Sequence, residues 1–170
     1  MDVRPALPSD LPEIAALHRA NWRRDFFDVL PPTALGDPLD AYMRRRWHPH
    51  ALDVARGFVA RDTSGFLLGF AAMLDDGPDG CAYLENLHVS PTARGAGVGT
   101  ALMSAVAVLS IPTPLTLEVL TANAVARAVY RRWGGTESAE FMDKVLDVDV
   151  PAVVVSWRDT AALAARLRGG

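Results

Sequence analysis

The 170-residue chain has a single cysteine, Cys81, so no internal disulfide can form. A lone thiol fits a reducing compartment, and Cys81 reads as a packed or turn residue, not a nucleophile. No apolar run approaches the ~20 residues that a membrane-crossing helix needs. The first eleven residues carry Asp2, Arg4 and Asp10 and lack the apolar centre of a signal peptide. Excess charge is also missing. A net charge of −3 gives no electrostatic reason to expect nucleic acid. The only tight basic cluster, Arg44, Arg45 and Arg46, reads as a solvated helix face. No repeat, linker or low-complexity tract divides the chain. The expectation is a cytoplasmic protein that partners neither nucleic acid nor membrane, with one domain over residues 1–170.

What is present is a half-hydrophobic chain with regular punctuation. Residues 3–6 form a first strand. Pro8-Ser9-Asp10 opens a helix, with Ser9 or Asp10 as N-cap, that runs to Trp22. A second helix starts at Asp37-Pro38 and ends near Pro49. Strands at 54–60, 66–74 and 81–89 are joined by turns at Asp62-Thr63-Ser64-Gly65 and at residues 75–80, which implies an antiparallel meander. After a glycine loop and its helix, residues 115–120 return as a strand. That order predicts a right-handed parallel crossover. A helix from Asn123 stops at Gly134-Gly135, strands at 141–146 and 152–157 follow, and residues 160–168 form a last helix. The fold class is α/β, a mixed and mostly antiparallel sheet of about seven strands flanked by helices.

The most informative stretch is Arg94-Gly95-Ala96-Gly97-Val98-Gly99-Thr100. It lies between a strand and an amphipathic segment, Val98, Ala101, Leu102, Ala105, Val106 and Leu109. Glycines allow close backbone approach, and a helix start offers unpaired N–H groups, so a phosphate-bearing ligand is expected. A P-loop requires a lysine after the last glycine, and Thr100 stands there. A dinucleotide loop requires its third glycine one position later, although Glu118 mimics the ribose acid.

Arg94-Gly95-Ala96-Gly97-Val98-Gly99 resembles the Arg/Gln-x-x-Gly-x-Gly/Ala signature of the GNAT N-acetyltransferase superfamily. Asn123, Ala126, Val129 and Tyr130 resemble its Asn-x-x-Ala-x-x-x-Tyr helix. The lead-in strand ending at Leu87-His88-Val89, the opening at Arg4-Pro5-Ala6 and the order of elements are similar too. The resemblance implies acetyl-CoA as cosubstrate and no metal. It implies backbone N–H groups of Gly95, Ala96, Gly97, Val98, Gly99 and Thr100 around the pyrophosphate, with Arg94 meeting a phosphate. A bulge would splay the lead-in strand, so that the backbone of Leu87, His88 and Val89 pairs with the pantetheine arm near Asn123 and Ala126. One departure stands out. The family places an aromatic after the glycine that ends the tyrosine helix, and here Gly135 follows Gly134, leaving Trp133 as the nearest group able to compensate.

Acetyl transfer to an amine needs a deprotonated amine, a polarised thioester carbonyl and a stabilised thiolate. Tyr130 is the family-matched acid beside the sulfur, or an aromatic of the core. For the base, Glu85 comes first, since under regular pairing it shares a face with Leu87 and Val89. Glu118 is second and a water chain third. His88 alternates to the opposite face and reads as a packed histidine. Trp22, Phe26, Phe27, Tyr42 and Trp47 are candidate acceptor walls or plain core, and Asp75, Asp76 and Asp79 could attract a cation. The expected function is N-acetyl transfer by direct attack in a ternary complex. The acceptor is a small-molecule amine, with a protein N-terminus or lysine as the alternative. A non-catalytic acyl-CoA-binding protein and a homodimer remain open.

Overall fold

The computed structural model describes residues 1–169. Its elements run β1 (Asp2–Pro5), α1 (Leu11–Asp25), α2 (Asp37–Arg46), β2 (Arg56–Arg61), β3 (Leu67–Leu74), β4 (Ala82–Val89), α3 (Val98–Ser110), β5 (Leu115–Leu120), α4 (Ala124–Arg132), β6 (Thr136–Glu137), β7 (Phe141–Val145), β8 (Val148–Trp157) and α5 (Thr160–Arg168). One sheet takes the order β1-β2-β3-β4-β5-β8, and β8 carries both β6 and β7 on its far edge. Only β4 and β5 are parallel, the product of the α3 crossover. The β2–β3–β4 meander is as expected. The sequence pattern missed β6, whose two residues are too short to show a period, and it began β8 four residues late.

The termini of the helices follow local chemistry. Asn123 Oδ1 accepts the N–H of Ala126 at 3.2 Å, and Asp159 Oδ1 accepts that of Ala162 at 2.8 Å, so both residues are N-caps. Gly134, at φ +84°, ends α4 in the left-handed region. On α1, Leu11, Ile14, His18 and Asn21 are buried at helical spacing against the sheet.

Helices cover both faces of the sheet, and each face has its own core. Met73, Leu84, Leu102, Val106, Leu115 and Val155 pack with Leu163 beneath α3 and α5. Ile14, Leu39, Met43, Val59, Phe70 and Ala72 pack beneath α1 and α2.

Asp10, expected as the N-cap of α1, does something larger. It is 2% exposed, and its carboxylate takes the Leu7 N–H at 2.7 Å, Arg4 at 2.8 and 2.9 Å and Arg61 at 2.7 Å. These bonds tie β1, β2 and α1 at one point. The Arg4 bond is the leading reason that the carboxyl is held well below the usual carboxylate range. Its stabilisation is complete above the unfolded carboxylate value and is lost as the pH falls through and below that value. Asp10→Asn is therefore expected to cost about 3 kcal/mol of unfolding free energy in urea at pH 7, and the gap from wild type should close as the pH falls below about 4.

Candidate functional site

β4 pairs with β5 only at Ala82–Leu115 and Tyr83–Thr116, and the two strands then part. On its other edge β4 is irregular. Leu84 faces Met73 and Asn86 faces Ala72, so Glu85 is an extra residue without a partner on β3. This β-bulge bends the strand and reverses which face its later side chains take. Leu87 and Val89 pack toward the α3 core. Glu85 instead meets Arg46 of α2, and His88 lies against Phe70 and His18 of α1. The expectation that Glu85 shares a face with Leu87 and Val89, opposite His88, is thus corrected. It assumed regular alternation, and the bulge places Glu85 and His88 together.

The gap between β4 and β5 opens into a cleft of about 360 Å³. Tyr130, Asn123, Leu87 and Leu117 line one part, and Trp22, Phe26, Tyr42, Tyr83, Glu85, Glu118 and Asp143 line another. The cleft therefore reaches from the α3 side of the sheet to the α1–α2 side. Of the other aromatics expected as walls, Trp47 is core at 7% exposed, and Phe27 points to solvent at 67%. Asp75 is engaged on the surface by Arg56.

Tyr130 is buried between Trp133 and Trp157, each ring about 5.9 Å away. Burial pushes its phenol up to about 12, so the hydroxyl keeps its proton at neutral pH. No described residue bonds that hydroxyl. Gly135 has a steric reason. A Cβ there would stand 2.5 Å from Val155 Cγ1 and 2.8 Å from the Trp157 ring. Trp157 of β8 therefore occupies the space beside Gly135, and Trp133 is one of two aromatics on Tyr130.

The three carboxylates of the cleft differ. Glu85 is gripped at both oxygens by Arg46, at 3.0 and 2.5 Å. Arg46 also stacks on Trp47 at 4.1 Å, and its side chain is only 12% exposed. Arg46 therefore departs from the solvated face read for the basic cluster, whereas Arg44 and Arg45 keep to it. Glu118 has no cationic partner among the described residues. Desolvation, then the like charge of Asp143, raises its carboxyl above the ordinary value.

The glycine loop fits an anion. Gly95 and Gly97 have φ of +80° and +79°, and α3 begins directly after Gly97. Among the described residues no carbonyl takes the N–H groups of Gly95, Gly97, Val98, Gly99 or Thr100. Arg94, expected to meet a phosphate, bonds Asp25 at 2.7 Å. Asn123 spends its Oδ1 on capping α4 and still lines the cleft, and Ala126 supplies the N–H that it caps. Asn21 was not read from the sequence. It is 1% exposed, and its Nδ2 donates to the Val89 carbonyl at 3.1 Å, fixing the end of β4.

Residues 15–135 match the model of the Acetyltransferase (GNAT) family. The chain belongs to that family. An uncharacterised N-acetyltransferase of Schizosaccharomyces pombe is 32% identical over 97 residues, which span 57% of this chain and 56% of that protein. The structure is similar to a histone acetyltransferase HPA2 and related acetyltransferase from Corynebacterium glutamicum, at TM-score 0.68 and 22% identity, covering 89% of this chain and 93% of that one. It is also similar to PaiA N-acetyltransferase from Thermoplasma acidophilum in complex with coenzyme A, at TM-score 0.66 and 15% identity over 89% and 96% of the two chains. At those identities the structural likeness speaks for the fold.

At the cleft this GNAT chain brings two imidazoles together, His88 half-buried in the lining and His18 buried behind it. His18 is fully buried, and its Nδ1 accepts from Trp47 Nε1 at 3.0 Å, which puts the ring proton on Nε2. Its ring centre lies 4.4 Å from that of His88. Burial takes His88 down to about 4, and it holds His18 far below the histidine range, with the nearby His88 adding to the effect. The fold therefore favours both rings neutral, while the unfolded chain protonates them below about pH 6.5. Stability is complete above that pH and falls toward pH 4. The unfolding free energy should drop by about 2 kcal/mol for each ring between pH 7 and 4.5, and His88→Gln should remove about half of that slope in denaturant titrations at each pH.

Proposed function

We propose that this chain moves an acetyl group from acetyl-CoA to a primary amine by direct attack within a ternary complex, in a cytoplasmic setting. The observation that carries this reading is the splayed β4–β5 gap, with free loop N–H groups at the start of α3 and a protonated tyrosine in the cleft wall. The residues present fit the donor. The unpaired N–H groups of Gly95, Gly97, Val98, Gly99 and Thr100 suit a pyrophosphate, and the start of α3 adds its dipole. Arg94 is long enough to exchange Asp25 for a phosphate. Beyond the bulge, the backbone of Leu87 and His88 no longer pairs with β5 and is free to pair with an amide-bearing arm. The Val89 carbonyl is already held by Asn21. The thioester supplies the activated acyl group when bound.

The chain's own groups then divide the work. Glu118 takes the acceptor's proton, directly or through water, because no described cation holds its carboxylate and its proton affinity is raised. Glu85 is the poorer base, since both of its oxygens already serve Arg46. Tyr130 donates its hydroxyl proton to the departing thiolate. The acceptor is a small molecule, because the cleft is walled by Trp22, Phe26 and Tyr42 and holds about 360 Å³.

Millimolar acetyl-CoA should raise the melting temperature, and no shift would overturn the proposal. With a thiol-detecting assay, Tyr130→Phe should lower kcat about a hundredfold while changing the Kd for coenzyme A less than about twofold. In the pH profile of kcat/KM, the acid limb should lie above the ordinary carboxylate value of about 4.3 and should vanish in Glu118→Gln, whereas Glu85→Gln should keep it.

A further inference from the structure

The hydroxyl proposed as the acid has no polar anchor. Tyr130 lines the cleft with its ring buried, and among the described residues none bonds its oxygen. The position of that oxygen is therefore set by what the ring packs against. Two indoles do this. Trp133 lies 5.9 Å away at 54°, and Trp157 lies 5.9 Å away at 88°, edge to face.

The end of α4 explains why the second indole comes from β8. The Gly134 N–H bonds the Arg131 carbonyl and the Gly135 N–H bonds the Tyr130 carbonyl, both at 2.9 Å. This is a Schellman ending, in which the positions held by Tyr130 and Gly135 commonly meet through apolar side chains. Gly135 has no side chain. A Cβ there would stand 2.8 Å from Trp157 Cζ2, so the glycine admits the indole, and the indole makes the missing contact with Tyr130. Trp157 is 4% exposed, and its Nε1 donates at 3.2 Å to the carbonyl of Trp133, the C-cap of α4. Trp133 in turn reaches the first turn of α3, where its Cη2 would lie 4.0 Å from a Cβ at Gly99. A continuous chain of rings therefore runs from the glycine loop through Trp133 and Tyr130 to Trp157.

We infer that Trp157 is a positioning residue for the acid. It does not line the cleft, so it acts through Tyr130. Its edge locks the phenol ring and holds the hydroxyl at one place relative to the glycine loop, which anchors the donor. A reacting group displaced by about 1 Å can lose two orders of magnitude in rate. The proton transfer rests on the acetyltransferase reading, whereas the lock on the ring can be tested without turnover.

The experiment is a double-mutant cycle on kcat with the thiol-detecting assay. Trp157→Leu should lower kcat about tenfold and change the Kd for coenzyme A less than about twofold. Added to Tyr130→Phe, it should cost less than about twofold, because no hydroxyl remains to be placed. Should Trp157→Leu fail to fold, Trp157→Phe takes its place in the cycle. That variant keeps an aromatic edge but loses the bond to Trp133, and its loss of about threefold should likewise vanish beside Tyr130→Phe. Independently, NMR of labelled tyrosine, with the Tyr130 signal assigned by its loss in Tyr130→Phe, should show the ring flipping faster in the Trp157 variant than in wild type. Equal losses in both backgrounds, a loss confined to the Kd for coenzyme A, or an unchanged flip rate would overturn the inference. A faster flip with no thiol release from any amine by wild type would sustain the lock and overturn the acetyltransferase proposal. Thiol release by wild type with equal losses in both backgrounds would do the reverse.

Discussion

β4 carries one residue more than β3 can pair, and much of the site depends on that mismatch. Without the bulge, β4 and β5 would stay hydrogen-bonded beyond Tyr83, and no cleft would cross the sheet. The same extra residue sets which side chains enter it. Before the bulge, Leu84 is core beneath α3. After it, Leu87 and Val89 are, so odd and even positions exchange faces. Glu85 and His88 are brought to one side only because of this exchange. Asn86 is buried there with an unused N–H, a cost that a purely structural bulge has no need to bear.

Electrostatics then sort the polar groups by whether a partner is within reach. Asp10 is almost wholly buried as an anion, and it is tolerated because two guanidiniums and a backbone N–H meet it. Glu85 is tolerated through Arg46. Among the described residues no carboxylate bonds His18 or His88, and they are accommodated by staying neutral. Glu118 and Asp143 fit neither solution. Both are carboxylates at the cleft without a guanidinium or ammonium among the described residues, and such an arrangement is stable only where solvent or a cation comes and goes.

The glycine loop, the tyrosine helix, the parallel crossover and the meander were legible because each depends on local chemistry. Gly95 and Gly97 need positive φ, Asn123 caps its own helix, and β-turn residues stand at fixed offsets. The bulge was not legible at its position. Period-two alternation reads straight through Glu85-Asn86, and only the register against Ala72 and Met73 shows the slip. Arg46 could not be told from Arg44 and Arg45 by composition, since its burial depends on where α2 meets β4. Asp143 was invisible as a cleft residue, because β7 reaches Glu118 only through β8, two strands away in the sheet.

α1 ties the two halves of the cleft together. Its Trp22, with Phe26 just past its end, forms part of the aromatic wall. Asn21, immediately before Trp22, holds the Val89 carbonyl at the end of β4, and Asp25, immediately before Phe26, holds Arg94 of the glycine loop. Arg24 links these two contacts, bonding Asn21 Oδ1 at 2.9 Å and Asp25 Oδ1 at 2.8 Å. The only charged side chain of the loop is therefore bound to the helix that walls the other half of the cleft. Rigid helices move as units, so a change in what Arg94 bonds shifts the load on Asp25, and it does so within a turn of the aromatic wall. The acid pair stands across the cleft on β5 and β7, outside this network. Its charge is thus fixed by the sheet, while the wall facing it is fixed by α1.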